Sequence, residues 1–323
     1  MPSVPPGTTA WVLTDGKAGD EVQCLGVTEA LGLHAETRRV RPRAPFAWAA
    51  PWGPIDPAEA PGRPGSALAP PYPDLVVASG RRAVPYLRAV RRLHPRTFTV
   101  FLKDPRTGAG TADLVWVPEH DRLRGPNVLA TLTPPHRVSA ARLSEARAHP
   151  DPRLRALPRP RVAVLAGGPS RHHRFSDADV ARFVAHLTAL RGEATLMATA
   201  SRRTPPALRA ALAELCGGES FFWDGTGENP YLALLALADA VVATADSYNM
   251  IGEAAATGRP ILVFEPSGGH PKLGRFLDGL RRYGAVKPFE GRLEAFTYVP
   301  LDSTPAIARA VADGLARHGA MLK

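Results

Sequence analysis

The sequence predicts an α/β protein made of two doubly wound domains, and three observations carry that expectation. Short apolar runs of strand character alternate with helix-length amphipathic segments along the whole chain, a pattern that implies parallel sheets with helical crossovers. The alternation stops once, at 149–161 (HPDPRLRALPRPR), where proline and arginine replace the apolar periodicity, and then restarts. The chain of 323 residues also exceeds what one hydrophobic core usually organises. The expected domains are 1–155 and 156–323, with a terminal helix free to pack back on the first. A cleft between two such domains would face strand carboxyl ends from both sides.

The elements follow in order. Residues 10–14 read as a strand and 21–31 as a helix, after a glycine-rich turn at 15–20; 36–40 is a second strand. The Pro/Trp/Gly-rich stretch 42–73 has no assignable period. Residues 75–78 form a short strand before a helix at 84–93, and 97–102, 114–117 and 128–132 are strands, with a helix at 139–147. In the second half, strands at 162–165, 195–199 and 220–223 alternate with helices at 177–190, 204–216 and 229–237. A compact strand–helix–strand unit follows: an apolar run ending near Val242, a helix at 250–257 closed by Gly258, and a strand at 261–264. A terminal helix spans 304–317.

Composition narrows the functional classes. Apolar content of 45% and charged content of 22% describe an ordinary globular chain. The formal charge of +10 rests on arginine, since only five of the 40 basic residues are lysine (17, 103, 272, 287, 323). No dense basic run with interleaved aromatics appears, which argues against nucleic acid. An anionic small substrate, or attraction to the acidic inner face of a membrane, fits the charge. Cys24 and Cys216 have no metal spacing and suit reduced thiols in cytoplasm. The N-terminal segment lacks a secretory pattern, and the most apolar window, 231–245, contains Asp239 and is too short to span a bilayer.

Candidate chemistry gathers where strands end. Glycines at Gly16 and Gly19 flank Lys17 in the first turn, between Asp15 and Asp20; a tight turn needing positive φ explains the glycines equally well. Gly80-Arg81 could clamp phosphate or carboxylate, or the arginine could be a solvated surface residue. Gly167-Gly168-Pro169-Ser170 bares the backbone and adds a hydroxyl, which suits an anion. The following Arg171-His172-His173 lacks a third metal ligand at helical spacing. Ser201 and Arg202 offer a hydroxyl and a cation before a proline-started helix, where capping by Thr204 is also expected. Asp177-Ala178-Asp179 reads as a helix cap rather than a metal motif, so no metal is expected. His120, between Glu119 and Asp121, is the strongest acid/base cluster of the first half, although a structural histidine explains it as simply. In the strand–helix–strand unit, Asp246 and Ser247 either cap the helix or meet phosphate, and Asn249 and Met250 either contact a ligand or pack. Glu253, expected near the first turn, repels phosphate but can accept two hydroxyls of a ribose or sugar.

The segments TDGKAGDEVQCLG (14–26), ASGRR (78–82), VPEHD (117–121), GPNVLATL (125–132), GGPSRHHRF (167–175), SRRTP (201–205) and TADSYNMIGEAAATGRPI (244–261) resemble the mitochondrial-fission ELM-type family, whose bacterial members look like GT-B glycosyltransferases. The resemblance covers nearly the whole chain. It implies two facing Rossmann-like domains, with a nucleoside-diphosphate sugar held by the second and an acceptor, lipid-linked or an envelope glycan, facing the first. Carried over by position, Glu253 would accept ribose hydroxyls, and Ser247 with the 167–170 backbone would hold the diphosphate. Asn249 and Met250 would lie near the base or sugar. Relatives with a glycine-rich first turn often carry a histidine there as the base. This chain has Asp15, Asp20 and Gln23 instead, which leaves Asp20 and His120 as the competing bases. The leading expectation is metal-independent sugar transfer. Epimerisation of a nucleotide sugar and a non-enzymatic scaffold for a membrane-associated partner, as in the fission-related members, are the alternatives.

Overall fold

The computed structural model describes residues 4–170 and 172–321. The chain forms two compact units, one running to Arg137 and resuming at Ser303, the other spanning Val138–Asp302.

The first unit holds β1 (Ala10–Thr14), α1 (Ala18–Ala30), β2 (Glu36–Arg39), α2 (Phe46–Ala49), β3 (Leu75–Ser79), α3 (Val84–Leu93), β4 (Phe98–Leu102), β5 (Leu114–Pro118) and β6 (Val128–Thr131). Its six strands are all parallel, in the order β2-β1-β3-β4-β5-β6, with Val12 opposite Val77. β1, β3 and β4 are buried at every position because helices cover both faces, as parallel sheets require. Side-chain alternation divides the core in two. Trp11, Leu13, Val76 and Ala78 face one cluster with Val84, Leu87 and Val90 of α3. Val12, Leu75, Val77 and Val100 face the other, with Cys24 and Val27 of α1 and with Ile307, Val311 and Leu315.

Those last residues belong to the terminal helix, which therefore completes the first unit. A Cβ added at Gly314 would lie 2.4 Å from the Phe98 ring, so the absence of a side chain permits the close approach. Its start is tied down by Thr133 and Ser303 hydroxyls 2.7 Å apart and by the His136 N–H donating to Thr304 Oγ1 at 3.1 Å.

The second unit holds α4 (Ala140–Ala148), α5 (Pro152–Arg155), β7 (Arg161–Ala166), α6 (Asp177–Arg191), β8 (Thr195–Ala200), α7 (Pro206–Leu215), β9 (Phe221–Trp223), α8 (Tyr231–Leu237), β10 (Ala240–Thr244), α9 (Tyr248–Ala255), β11 (Ile261–Phe264), α10 (Pro271–Tyr283) and β12 (Val286–Pro288); the terminal helix of the first unit is α11 (Thr304–Met321). Its sheet is again parallel, ordered β12-β11-β10-β7-β8-β9, with Val242 opposite Val164. Alternate strand residues pack on Phe183, Leu187 and Leu190 of α6 and on Leu208 and Leu212 of α7.

Differences from expectation have local causes. The compact units divide at 137/138, whereas the sequence suggests 155/156. Arg147 Nε donates to the Ala236 carbonyl at 2.9 Å and Leu154 is fully buried, which seats α4 and α5 on the second unit. α1 starts three residues early, at Ala18, and α9 spans 248–255 rather than 250–257, because Ser247 Oγ accepts from the Met250 N–H at 3.4 Å and caps it there. α10 has no counterpart in the expectation, yet its signals were present: His270 as cap, Pro271 at the first position, buried Leu273, Phe276, Leu277 and Leu280 at helical spacing, and Gly284 left-handed at φ 85°. The unassigned stretch 42–73 is mostly turns, pinned by an Arg43–Asp56 ion pair at 2.7 Å and by the Tyr86–Glu59 hydrogen bond.

Candidate functional site

In each unit the sheet order reverses once, and the carboxyl ends of the two strands flanking such a reversal are where open α/β sheets accept ligands. In the second unit these strands are β7 and β10. β7 runs into Gly167 and Gly168, and β10 into Asp246 and Ser247. The Asp246 side chain is fully buried. It accepts from the Thr244 hydroxyl at 2.7 Å, from the Gly168 N–H at 3.2 Å and from the Arg203 guanidinium at 3.0 Å, while the Gly167 N–H donates to Thr244 Oγ1 at 2.8 Å. The Ser170 N–H donates to the His173 carbonyl.

The backbone donors expected to cradle a diphosphate at Gly167, Gly168 and Ser170 are therefore already committed within the protein. The glycines serve packing instead. A Cβ at Gly167 would lie 1.9 Å from Asp246 Oδ1, and one at Gly168 would lie 2.1 Å from the Arg203 carbonyl oxygen. Asp246 is a brace that ties the ends of β7, β8 and β10 together rather than an exposed ligand.

β8 ends in Ser201, Arg202, Arg203 and Thr204. Thr204 Oγ1 lies 2.6 Å from the Gly167 carbonyl and 3.1 Å from Ser201 Oγ, and Ser201 Oγ also accepts from the Arg203 N–H. Arg202 is exposed. Arg171 lies outside the described residues. His173 is buried, and burial holds its imidazole below the ordinary range, against the pull of Asp246. The rim after β11 folds onto this turn: the His172 and His270 rings sit 4.3 Å apart, and the Gly269 N–H donates to the His172 carbonyl at 2.6 Å. Asp179 completes a capping box with Ser176 and accepts from Ser267 N and Oγ at 3.1 and 2.9 Å. Burial would raise its pKa, but hydrogen bonds from the two serines outweigh it and hold it at about 2.

Glu253 is the sixth residue of α9, two residues deeper than the sequence suggests. It keeps part of its surface accessible, and its Oε2 accepts from the Tyr231 hydroxyl at 2.6 Å. Packing around the carboxylate raises its pKa to about 7, although the Tyr231 bond pulls the other way; burial and the adjacent carboxylate push the Tyr231 phenol far up. Tyr231 escaped the sequence reading because only the fold brings the start of α8 to α9. Ser247, Asn249 and Met250 form the first turn of the same helix and are all partly exposed.

In the first unit the reversal lies between β1 and β3. Gly16 is left-handed at φ 82°, and Lys17 Nζ pairs with Asp15 Oδ2 at 3.1 Å. Gly80, at φ 98°, passes so close that a Cβ there would meet Asp15 Oδ1 at 2.8 Å, and that oxygen is buried without a hydrogen-bond partner. Gly19 and Asp20 lie in the first turn of α1, where Asp20 is buried and ion-paired with Lys103. Arg81 does not present a phosphate clamp: its guanidinium donates to the carbonyls of Ala47 (2.9 Å), Trp48 (3.3 Å) and Ala50, which caps α2. His120 follows β5, two strands beyond β3 in the sheet, and is partly exposed.

A cavity of about 280 Å³ sits over the ends of β1, β3 and β4. Lys17, Asp20, Gly80 and Arg81 line it together with Lys103, Asp104 and Arg106. The last three were missed because the Leu102–Arg106 turn carries no glycine signal, although Lys103 (φ 84°) and Arg106 (φ 64°) both adopt the left-handed backbone that glycine usually supplies. Among the described residues no group of three or more His, Cys, Asp or Glu could hold a metal ion, and no helix is long and apolar enough to cross a membrane.

Solved structures share this architecture. The UDP-GlcNAc 2-epimerase of Methanocaldococcus jannaschii superposes with a TM-score of 0.57 at 11% identity, covering 96% of this chain and 99% of that one. The Neisseria meningitidis UDP-GlcNAc 2-epimerase bound to UDP-GlcNAc gives 0.52 at 9% identity (97% and 99%), and the spinosyn forosaminyltransferase SpnP 0.52 at 13% (98% and 94%). Such identities establish the fold alone, the two-domain Rossmann-like α/β architecture of GT-B glycosyltransferases and sugar-nucleotide epimerases. By sequence, the Mitochondrial fission protein ELM1 of Arabidopsis thaliana is 29% identical over 282 residues, covering 78% of this chain and 66% of that protein. An uncharacterized protein of Rickettsia prowazekii is 26% identical over 160 residues, covering 46% of this chain and 45% of its own length. The match thus spans just under two thirds of the plant relative and less than half of the bacterial one. The family described as Mitochondrial fission ELM1 matches residues 18–315, from the first residue of α1 through the buried part of α11. The chain belongs to that family.

Proposed function

We propose that this chain is a glycosyltransferase, with a nucleoside-diphosphate sugar held at the β7/β10 crevice of the second unit and the acceptor held by the first. The observation that carries this reading is Glu253: a partly open carboxylate, fixed by Tyr231, on the helix whose first turn closes the crevice. Its charge near neutrality suits two ribose hydroxyls as donors. Ser247 Oγ accepts from the Met250 N–H and keeps its hydroxyl hydrogen for a phosphate oxygen, in the favourable field of the helix start. Arg202 is an exposed cation of the neighbouring rim. In the first unit, the carboxylates of Asp15 and Asp20 are each held by a lysine, so the acceptor proton is assigned to His120.

A thermal-shift panel of UDP-, GDP-, ADP-, CMP- and dTDP-sugars tests the reading. One nucleotide class should stabilise the protein at millimolar concentration; no shift with any of them favours the scaffold alternative. Incubating the bound donor without acceptor separates transfer from epimerisation, because only an epimerase yields an isomeric nucleotide sugar. Once a donor is found, His120→Ala should lower turnover about 100-fold with donor affinity unchanged.

Peripheral membrane contact is part of the same proposal. Trp48 and Trp52 are 75% and 66% exposed. Three carbonyls around them are gripped by Arg81, and exposed Arg41, Arg43 and Arg63 lie in the same segment. Exposed indoles in an arginine-bearing segment suit the interface of an anionic bilayer. A Trp48→Ser, Trp52→Ser double variant should lose about tenfold in partitioning to vesicles containing phosphatidylglycerol, with an unchanged melting temperature. Equal partitioning of both proteins would remove the patch from the proposal.

A further inference from the structure

We propose that the cavity over β1, β3 and β4 is an anion site that takes the phosphate group of the acceptor, with Arg106 and Lys103 as its specificity-determining cations. The anion site stands on the geometry below; naming its occupant as the acceptor rests on the transfer reading above.

The cavity lies where the sheet order of the first unit reverses, the position at which open α/β sheets accept ligands. Its volume, about 280 Å³, falls just under the range of pockets that enclose drug-sized molecules. A phosphorylated head group fits this volume. Four of its lining residues are cationic (Lys17, Arg81, Lys103, Arg106) against two acids, Asp20 and Asp104.

These cations are not equivalent. Arg81 is spent on the carbonyls of α2, and Lys17 is paired with Asp15. Lys103 is paired with buried Asp20 but keeps 43% of its side chain exposed, so it can hold a second anion from its open side. Arg106 is exposed and makes no ion pair among the described residues, which leaves its five donors available. The turn that carries both is strained at two non-glycine positions, Lys103 and Arg106. The Arg106 N–H bonds to Asp104 Oδ1 at 2.8 Å, which holds the turn closed. Asp104-Pro105 favours the turn, but glycine rather than Lys103 or Arg106 would hold these backbone angles without strain. Side chains kept on a left-handed backbone point to a role for those side chains.

The test is titration of the full chain with inorganic pyrophosphate by calorimetry at low salt, with UDP present at saturating concentration in a parallel run to occupy any nucleotide site. Wild type should bind pyrophosphate in both runs, more weakly as salt rises. Arg106→Gly relieves the left-handed strain, so it should melt no lower than wild type while binding pyrophosphate at least about fivefold more weakly. Lys103→Gln should weaken binding further, but it leaves Asp20 without its partner, so Arg106→Gly is the deciding variant. Undiminished binding in Arg106→Gly, or binding abolished by UDP, overturns the proposal. Should no nucleotide bind at all while pyrophosphate binding persists and is lost in Arg106→Gly, the anion site is upheld and only the transfer reading fails.

Discussion

Gly168→Ala is expected to destabilise the second unit by about 3 kcal/mol, a fall of roughly 6–12 °C in melting temperature, with no ligand present. The added methyl would lie 2.1 Å from the Arg203 carbonyl oxygen, 2.3 Å from its carbon and 2.7 Å from the Thr204 nitrogen. All three are backbone atoms, so no rotamer change can make room. Gly167→Ala should be damaging as well. Its methyl would meet the Asp246 carboxylate at 1.9 Å, and moving that side chain surrenders its bonds to Thr244, Gly168 and Arg203.

The comparison separates two meanings of a double glycine after a strand. If the pair existed to expose N–H groups to phosphate, alanine at 168 would leave folding intact and cut only ligand affinity. The packing geometry instead requires the loss to appear in the free protein. Gly274→Ala is the control: it sits in α10 with nothing within 4 Å of the added methyl, and should be neutral or gain about 0.5–1 kcal/mol from helix propensity. Urea denaturation of the three variants decides the matter. A Gly168→Ala protein as stable as wild type would mean the β7 turn is not seated on residues 203 and 204.

Glu253→Gln carries the second large effect, and its sign depends on pH. The carboxyl titrates at about 7 in the folded protein against an ordinary 4.5, because burial disfavours its charge. Between those values the folded state binds the extra proton, so raising the pH through this window lowers stability. The contribution is most favourable below about 4.5 and is lost by the time pH passes 7. The full shift would correspond to about 3 kcal/mol; because the side chain is partly open to solvent, about 2 kcal/mol is the expected size.

Glutamine cannot ionise and still offers Tyr231 an amide oxygen. The variant should therefore be about 2 kcal/mol more stable than wild type at pH 8 and equal to it near pH 4.5. Glu253→Ala is the poorer probe, since it strands the Tyr231 hydroxyl at a further cost of about 1–3 kcal/mol. A stability difference that is the same at both pH values would show that Glu253 does not ionise in this window. For the proposed donor site the signs reverse. An ionised carboxylate accepts ribose hydroxyls best, so donor affinity in the wild type should rise by up to about tenfold between pH 6 and pH 8, and Glu253→Gln should flatten that profile. A residue that weakens the free fold at the pH where it would bind best is the usual mark of a site under functional demand.

The fold was largely legible before the coordinates. β1, α3 and β11 fall on the residues read as strand, helix and strand, because a buried parallel strand must be continuously apolar and an amphipathic helix must repeat near 3.6. The stretch 42–73 stayed illegible for the converse reason. It is held by particular long-range pairs, Arg43–Asp56, Tyr86–Glu59 and Arg81 with α2, and not by any local period. α10 has no counterpart in the sequence expectation although its cap, proline and terminal glycine are present.

The candidate site divides along the same line. Local sequence singled out the strand-end turns, since glycines, hydroxyls and charges concentrate where strands give way to helices. It also determined the parallel α/β class and placed Glu253 on its helix. Only tertiary structure decided what each group does: that Asp246 is a buried brace, that Arg81 caps α2, that burial sets the charge of Glu253 while Tyr231 holds it in place, and that Lys103 and Arg106 share a cavity with Lys17. The reason is physical. Periodicity records which face of an element is buried, a local property, whereas a carboxylate's charge and a glycine's purpose depend on atoms that approach within a few ångströms from distant parts of the chain.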